Sequence, residues 1–189
     1  MTDLEIEYKT LLTKDEYSRL LSQLSHVTPV TQTNYYIDTE NFELKANKMS
    51  LRVRTFVNSA ELTLKVPEEV GNREYNVSLD LQQAKTIIKY GQLPDSPALD
   101  IIKQTGINLN HLKTFGNLTT IRRETDTPIG KLALDYNQYA SIKDYELELE
   151  VTDPVQGKID FDHFLAQHNI AFKYAKSKVA RFSKTLKKS

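Results

Sequence analysis

Polar and apolar residues alternate with a period of two through much of this chain. In Leu4-Glu5-Ile6-Glu7-Tyr8-Lys9 an extended backbone puts Leu4, Ile6 and Tyr8 on one face and Glu5, Glu7 and Lys9 on the other. The alternation returns in Ser50-Leu51-Arg52-Val53-Arg54, in Glu61-Leu62-Thr63-Leu64-Lys65 and in Arg73 to Leu79. It returns again in Leu118 to Glu124, Lys131 to Tyr136 and Tyr145 to Val151, while Gln32 to Asp38 is rich in β-formers. Asn58-Ser59 and Thr127-Pro128-Ile129-Gly130 read as hairpin turns between such strands.

Between the strands the period changes to that of a helix. Thr13-Lys14-Asp15-Glu16 has the form of a capping box, and Tyr17, Leu20, Leu21 and Leu24 follow at helical spacing, so a helix is predicted over 14–25. Asp80 with Gln83 opens a second helix, 81–90, that stops at Gly91; Ser96-Pro97 opens a third, 97–105, that stops at Gly106. Asn108 to Phe115 admits one more short helix, and Asp160 is expected to cap a helix over 160–168 through Phe161, Phe164 and Leu165. Lys173 to Phe182 fits strand and helix alike. Strands, then helices, then strands again make a single α+β domain spanning 1–189. The helices cover the apolar strand faces. The charged faces then meet solvent in an open sheet or point inward in a closed barrel, and alternation satisfies both. Closure has the advantage of removing the edges of so many strands.

Charge sharpens this picture. Lys+Arg and Asp+Glu number 25 each, so the formal net charge is zero and bulk electrostatics argue against a general binder of nucleic acid or anionic membrane. Any site for a polyanion must come from local segregation of charge. Tyr145-Glu146-Leu147-Glu148-Leu149-Glu150 lines up three carboxylates that repel one another unless cations or a metal stand opposite. The chain has no cysteine, which excludes disulfides, thiolate metal sites and a cysteine nucleophile. No signal-peptide pattern opens the chain and no apolar run approaches bilayer length, so a soluble, cytoplasmic protein is expected.

In order along the chain, Glu5-Ile6-Glu7-Tyr8-Lys9 resembles the Glu-x-Glu-x-Lys signature of the CYTH superfamily, the triphosphate tunnel metalloenzymes. Tyr35-Tyr36-Ile37-Asp38-Thr39 looks like the family's Tyr-Tyr-x-Asp-Thr stretch. Leu51-Arg52-Val53-Arg54, Leu62-Thr63-Leu64-Lys65, Arg73-Glu74, the strand with Arg122, Leu134-Asp135, Tyr145-Glu146-Leu147-Glu148 and Lys176-Ser177-Lys178 follow in the family's order. The resemblance covers nearly the whole chain and is greatest to the small stand-alone bacterial members. It implies a closed, antiparallel, eight-stranded β-barrel forming a tunnel, with helices packed outside. It also implies a small-molecule triphosphate on a basic wall, Mg²⁺ or Mn²⁺ on an acidic wall, and no nucleic-acid or membrane partner; a homodimer is compatible with the family. Carried over residue by residue, Lys9, Arg52, Arg54, Lys65, Arg122 and Lys176 or Lys178 would hold phosphates, with Glu74 a further tunnel acid. Glu5, Glu7, Asp135, Glu146 and Glu148 would hold metal or water, and Glu5, Glu7, Lys9 and Glu148 would serve catalysis.

The implied activity is divalent-metal-dependent hydrolysis of a triphosphate, inorganic triphosphate being the first choice. Thiamine triphosphatase, adenylate cyclase and a non-catalytic polyphosphate or nucleotide sensor are the alternatives. The chemistry is coherent: bidentate arginines fix phosphate oxygens, hard cations prefer carboxylate and phosphate oxygens, and phosphoryl transfer needs positioning and charge stabilisation. No Walker-type glycine loop is present. His26, His111, His163 and His168 lack metal-ligand spacing, Tyr35 and Tyr36 read as strand packing, and Lys184, Lys187 and Lys188 read as a solvated tail. Glu150 has the parity of the acidic face but extends it past the family's usual pair.

Overall fold

The structure, a computed structural model, describes residues 2–186. Lys187 and Lys188 of the expected basic tail lie outside the described residues. Eight strands form: β1 (Thr2–Leu12), β2 (Val30–Asp38), β3 (Ser50–Thr55), β4 (Ala60–Pro67), β5 (Asn72–Leu79), β6 (Lys113–Thr127), β7 (Gly130–Tyr139) and β8 (Ile142–Val151). They close as an antiparallel barrel in the order β1-β5-β4-β3-β2-β6-β7-β8. Of the two arrangements that alternation allows, the chain adopts the closed one. Among the described residues six helices accompany it: α1 (Lys14–Gln23), α2 (Glu43–Ala46), α3 (Leu81–Tyr90), α4 (Pro97–Gln104), α5 (Pro154–Gln167) and α6 (Lys178–Lys184).

The chain divides into two compact units. The first comprises 1–4 and 32–118, the second 5–31 and 119–189. In the first, Leu51, Val53, Leu62 and Leu64 of β3 and β4 form a core with Ala84, Ile87, Ala98 and Ile102 of α3 and α4. In the second, Leu132, Leu134, Leu147 and Leu149 of β7 and β8 pack with Leu20 and Leu24 near α1 and with Phe161 and Leu165 of α5. In both, the apolar strand face meets the helices outside, so the alternate, charged face is the other side of each strand. Helix and strand periodicities in the sequence thus meet at one surface.

Local chemistry explains the element ends. Thr13 and Glu16 close the expected capping box, as do Asp80 and Gln83. Gly91 ends α3 at φ 70°, where an added Cβ would lie 2.0 Å from the Leu112 carbonyl oxygen, so only glycine serves there. The expected helix over 160–168 is longer, because it starts six residues earlier than its expected cap. Asp153 accepts from the backbone of Val155 and Gln156, and Pro154 occupies the first turn, the signature also seen at Ser96-Pro97. Gly157 lets α5 lie close on β8, since a Cβ there would come within 2.6 Å of the Val151 side chain. The region 108–115 holds only a 3-10 turn, Leu109–His111, before β6 begins. Asp38 has a structural role: its carboxylate accepts from the backbone N–H groups of Thr39, Leu44 and Lys45 and so anchors α2. The ambiguous 173–182 segment has no regular structure at first and is then helical, with Ser177 capping α6.

Candidate active site

The second unit carries most of the acids. Antiparallel register sets Lys9 opposite Glu148, Asp135 opposite Glu146 and Arg122 opposite Asp135, so these side chains share one face. Ala133 stands opposite Glu148, and its small side chain leaves that face open. Asp135 and Glu146 are fully buried and Glu148 nearly so. Each offers an oxygen within 4.8 Å of the others. Three carboxylates so close are unstable without cations.

The cations come mostly from this unit itself. Arg122 makes a two-pronged contact with Asp135 (2.8 and 2.7 Å) and also donates to Glu148 at 2.6 Å. Lys178, the first residue of α6, places its ammonium 2.8 Å from Asp135, 2.7 Å from Glu146 and 2.9 Å from Glu148. Arg181, one turn on, reaches Glu146 at 2.7 Å and Asp144 at 3.2 Å. Lys9 lies 2.9 Å from Glu7 and 3.6 Å from Glu148. Asn137 donates to Glu146 and Asp144, and Thr120 in turn donates to Asn137.

Burial opposes the charge of Glu148, but Lys178, Arg122 and Lys9 outweigh it and hold its carboxyl well below the usual range. Asp135 is likewise held low, burial being outweighed by Arg122 and Lys178. For Lys178 burial is again the largest influence, yet Asp135, Glu146 and Glu148 reverse it and raise the ammonium's pKa. Lys9 is raised for the same reason, by Glu148 and Glu7 against burial. Tyr139 is pushed up to about 12, by burial first and then by donating to Asp144. Asp135 and Glu148 are therefore ionised at neutral pH, and Lys9 and Lys178 are charged.

A divalent cation fits these residues. The donors are all carboxylate oxygens, which suit hard ions, and Glu146 Oε2 is buried without a hydrogen-bond partner among the described residues. Glu146 Oε1, by contrast, accepts from Asn137, Arg181 and Lys178. Lys178 contacts the same three carboxylates that would hold a metal, so its charge and the ion's compete for them. Glu5 and Glu7 are half-buried on the same face of β1 and are not part of the three-carboxylate cluster.

The polar face of the first unit is built differently. Register sets Tyr36 opposite Arg52, Asn34 opposite Arg54, Thr63 opposite Arg52 and Lys65 opposite Glu74. Arg54 donates to Asn34 Oδ1 at 2.8 Å and lies 4.0 Å from Glu61. Lys65 lies 3.3 Å from Glu74. Arg52 is half-buried, makes no ion pair among the described residues, and its Nε has no acceptor. Of the expected phosphate ligands, Arg52, Arg54 and Lys65 thus share a face in the first unit, with Glu74. Lys9, Arg122 and Lys178 sit among the acids of the second, and the Lys176 side chain is exposed.

Sequence reasoning missed Asp144, Asn137 and Thr120, which have the parity of the acidic face. It also missed Arg181, which lies three residues after Lys178 and so on the same helix side. His168 stacks on Phe164 and contacts Gln23, a packing role.

Residues 3–183 match the CYTH domain family model. The chain is 33% identical over 189 residues to the Bacillus subtilis (strain 168) protein named "Putative triphosphatase YjbK", covering 99% of this chain and 98% of that one. It is also similar to the crystal structure of a "putative adenylate cyclase (bh2851)" from Bacillus halodurans: 34% identical, TM-score 0.90, over 96% of this chain and 98% of that one. HpAC1 from Hippeastrum, at 24% identity, TM-score 0.84 and 96% of both chains, shares the fold.

Proposed function

From the premise that the chain belongs to the CYTH-domain family, we propose that it hydrolyses a small-molecule triphosphate, inorganic triphosphate first of all, with the help of Mg²⁺ or Mn²⁺. The observation that carries the reading is Arg52, beside Arg54 on the polar face of β3, whose Nε is buried without an acceptor and which makes no ion pair among the described residues. A half-buried cation without a carboxylate calls for an anion from outside the chain. Arg52, Arg54 and Lys65 bind and orient the phosphates as charge-assisted donors, and Lys9 and Arg122 add positive charge from strands that also carry acids.

The divalent ion would be held by Asp135, Glu146 and Glu148, with Glu5 and Glu7 of β1 alongside. When bound, it supplies charge to phosphate oxygens and acidifies a coordinated water. Water adds to a terminal phosphorus, the P–O–P bond to the rest of the triphosphate breaks, and orthophosphate and pyrophosphate leave. Glu148, held ionised far below neutrality, is a weak base, so its part is to orient water and cations rather than to keep a proton. The name borne by the Bacillus subtilis relative supports a triphosphatase.

One observation favours a second reading. With Lys178 already neutralising the acid cluster, the fold could retain a polyphosphate or nucleotide without turning it over. Phosphate release from inorganic triphosphate, thiamine triphosphate and ATP, each with Mg²⁺, Mn²⁺ or EDTA, separates these readings. Cyclic AMP is followed beside the ATP reaction, because the Bacillus halodurans relative's name points to a cyclase. Metal-dependent release that is greatest with inorganic triphosphate is expected. Tight tripolyphosphate binding with no release under any metal would replace the hydrolase by the sensor.

A further inference from the structure

Strand β2 adds two neutral residues to the arginine face. Gln32 and Asn34 lie two apart on β2, so they share a side, and Asn34 stands directly opposite Arg54. Gln32 is 3% exposed and Asn34 is fully buried. Asn34 Oδ1 accepts from Arg54 Nε at 2.8 Å, which fixes the amide and turns its NH₂ away from that arginine. Neither Asn34 Nδ2 nor Gln32 Nε2 has an acceptor among the described residues, and the Arg52 Nε–H lacks one as well. The carboxylates of this face are engaged elsewhere, Glu61 with Arg54 and Glu74 with Lys65. Three buried donor groups on neighbouring strands therefore have nothing to donate to among the described residues. Buried donors are nearly always satisfied, and a shared deficit of acceptors on one face points to a ligand made of acceptors.

We propose that Gln32 and Asn34 are ligand-binding residues whose amide N–H groups, beside Arg52 Nε–H, donate to the non-bridging oxygens of a bound polyphosphate. The assignment rests on the polyphosphate reading above and adds to it a neutral part of the recognition surface. Arginines attract any anion, whereas rigid amides select for acceptor oxygens in a fixed place without adding charge. Asn34 has a double part: it aligns the Arg54 guanidinium and donates with its other end. A ligand group bringing its own N–H to this position would meet only donors and would be rejected.

The test is calorimetric titration with tripolyphosphate, with and without Mn²⁺, on wild type, Gln32→Met, Asn34→Asp and Arg52→Ala, beside thermal unfolding of each without ligand. Gln32→Met keeps the length of the side chain and removes the donor. Asn34→Asp keeps the acceptor for Arg54 and replaces the donor by a repelling oxygen. Binding is expected to weaken about tenfold in Gln32→Met and more in Asn34→Asp, the order of one charge-assisted hydrogen bond. The unliganded Gln32→Met protein should melt at or above the wild-type temperature, because it loses only an unsatisfied buried donor. A Gln32→Met variant that melts well below wild type overturns the assignment, since the amide would then be structural. Wild-type affinity in both β2 variants, with binding lost in Arg52→Ala, overturns it while leaving the polyphosphate reading intact. No tripolyphosphate binding by wild type under either condition overturns both.

Discussion

The charged faces of the two units carry the same residue types to different ends. On the second unit's face, Glu7, Asp135, Asp144, Glu146 and Glu148 are met by Lys9, Arg122, Lys178 and Arg181 at 3.6 Å or less. That face is balanced almost completely from within, and one buried oxygen, Glu146 Oε2, is left over. On the first unit's face, among the described residues, Arg52 has no counter-charge, and Gln32 and Asn34 hold donors with no acceptor. One face is saturated and the other is waiting. Saturation serves folding, because every buried charge has its partner before any ligand arrives. The unsatisfied face keeps its binding capacity for an outside anion and loses some stability by doing so.

The largest expected effect comes from breaking the saturated face. Lys178→Met leaves three buried carboxylates short of one cation, and a broken buried ion network costs about 3–5 kcal/mol. Urea unfolding without metal should show that loss, and Mn²⁺ should restore part of it by taking the vacated charge position. If Lys178→Met is as stable as wild type without metal, the cluster is not held by this lysine.

Acid should act on the same face. Glu148 and Asp135 have folded pKa values below their ordinary 4.5 and 3.8, so they favour the folded state at pH values above those figures. Their contribution is lost as pH falls from there through the lower folded values. Urea midpoints measured from pH 6 to pH 2.5 should therefore stay level and then drop below about pH 4.5, where the ordinary glutamate range begins. In Glu148→Gln the drop should be shallower. An equal drop in both proteins would put the acid sensitivity elsewhere.

Much of this was legible in the sequence, and the physics says why. A period of two and a period of 3.6 are each fixed by backbone geometry, so the strands and the caps at Thr13, Asp80 and Ser96 could be read from residue order alone. Parity placed Glu146, Glu148, Asp135 and Arg122 on one face, which the register agrees with. What parity cannot give is pairing. Whether Lys178 faces a phosphate or a carboxylate depends on how α6 is placed against β7 and β8, and the 173–182 segment had no clear period. Gln32 and Asn34 escaped because neutral amides in a β-rich run look like ordinary strand residues; only burial without acceptors sets them apart. The early start of α5 was readable from Asp153-Pro154 but was overshadowed by Asp160, whose carboxylate instead accepts from Gln156.

The smallest effect calibrates the others. Lys158 and Asp162 form an exposed i,i+4 pair on α5 at 2.7 Å, shorter than several pairs in the buried cluster. Water screens it, so Lys158→Ala should change the unfolding free energy by about 0.5 kcal/mol or less, and tripolyphosphate affinity not at all. A loss near that of Lys178→Met would mean that distance rather than burial sets the strength of these pairs.

The central claim is that the unsatisfied arginine face takes the triphosphate that the protein hydrolyses. Its most direct test is the rate of phosphate release from inorganic triphosphate with Mn²⁺, compared between wild type and Arg52→Ala. Loss of a charge-assisted contact of about 1.5–3 kcal/mol should lower kcat/KM by about 10- to 150-fold, with the melting temperature of the unliganded protein held or raised. Equal kcat/KM in the two proteins, or no release by wild type with either metal, would contradict the account.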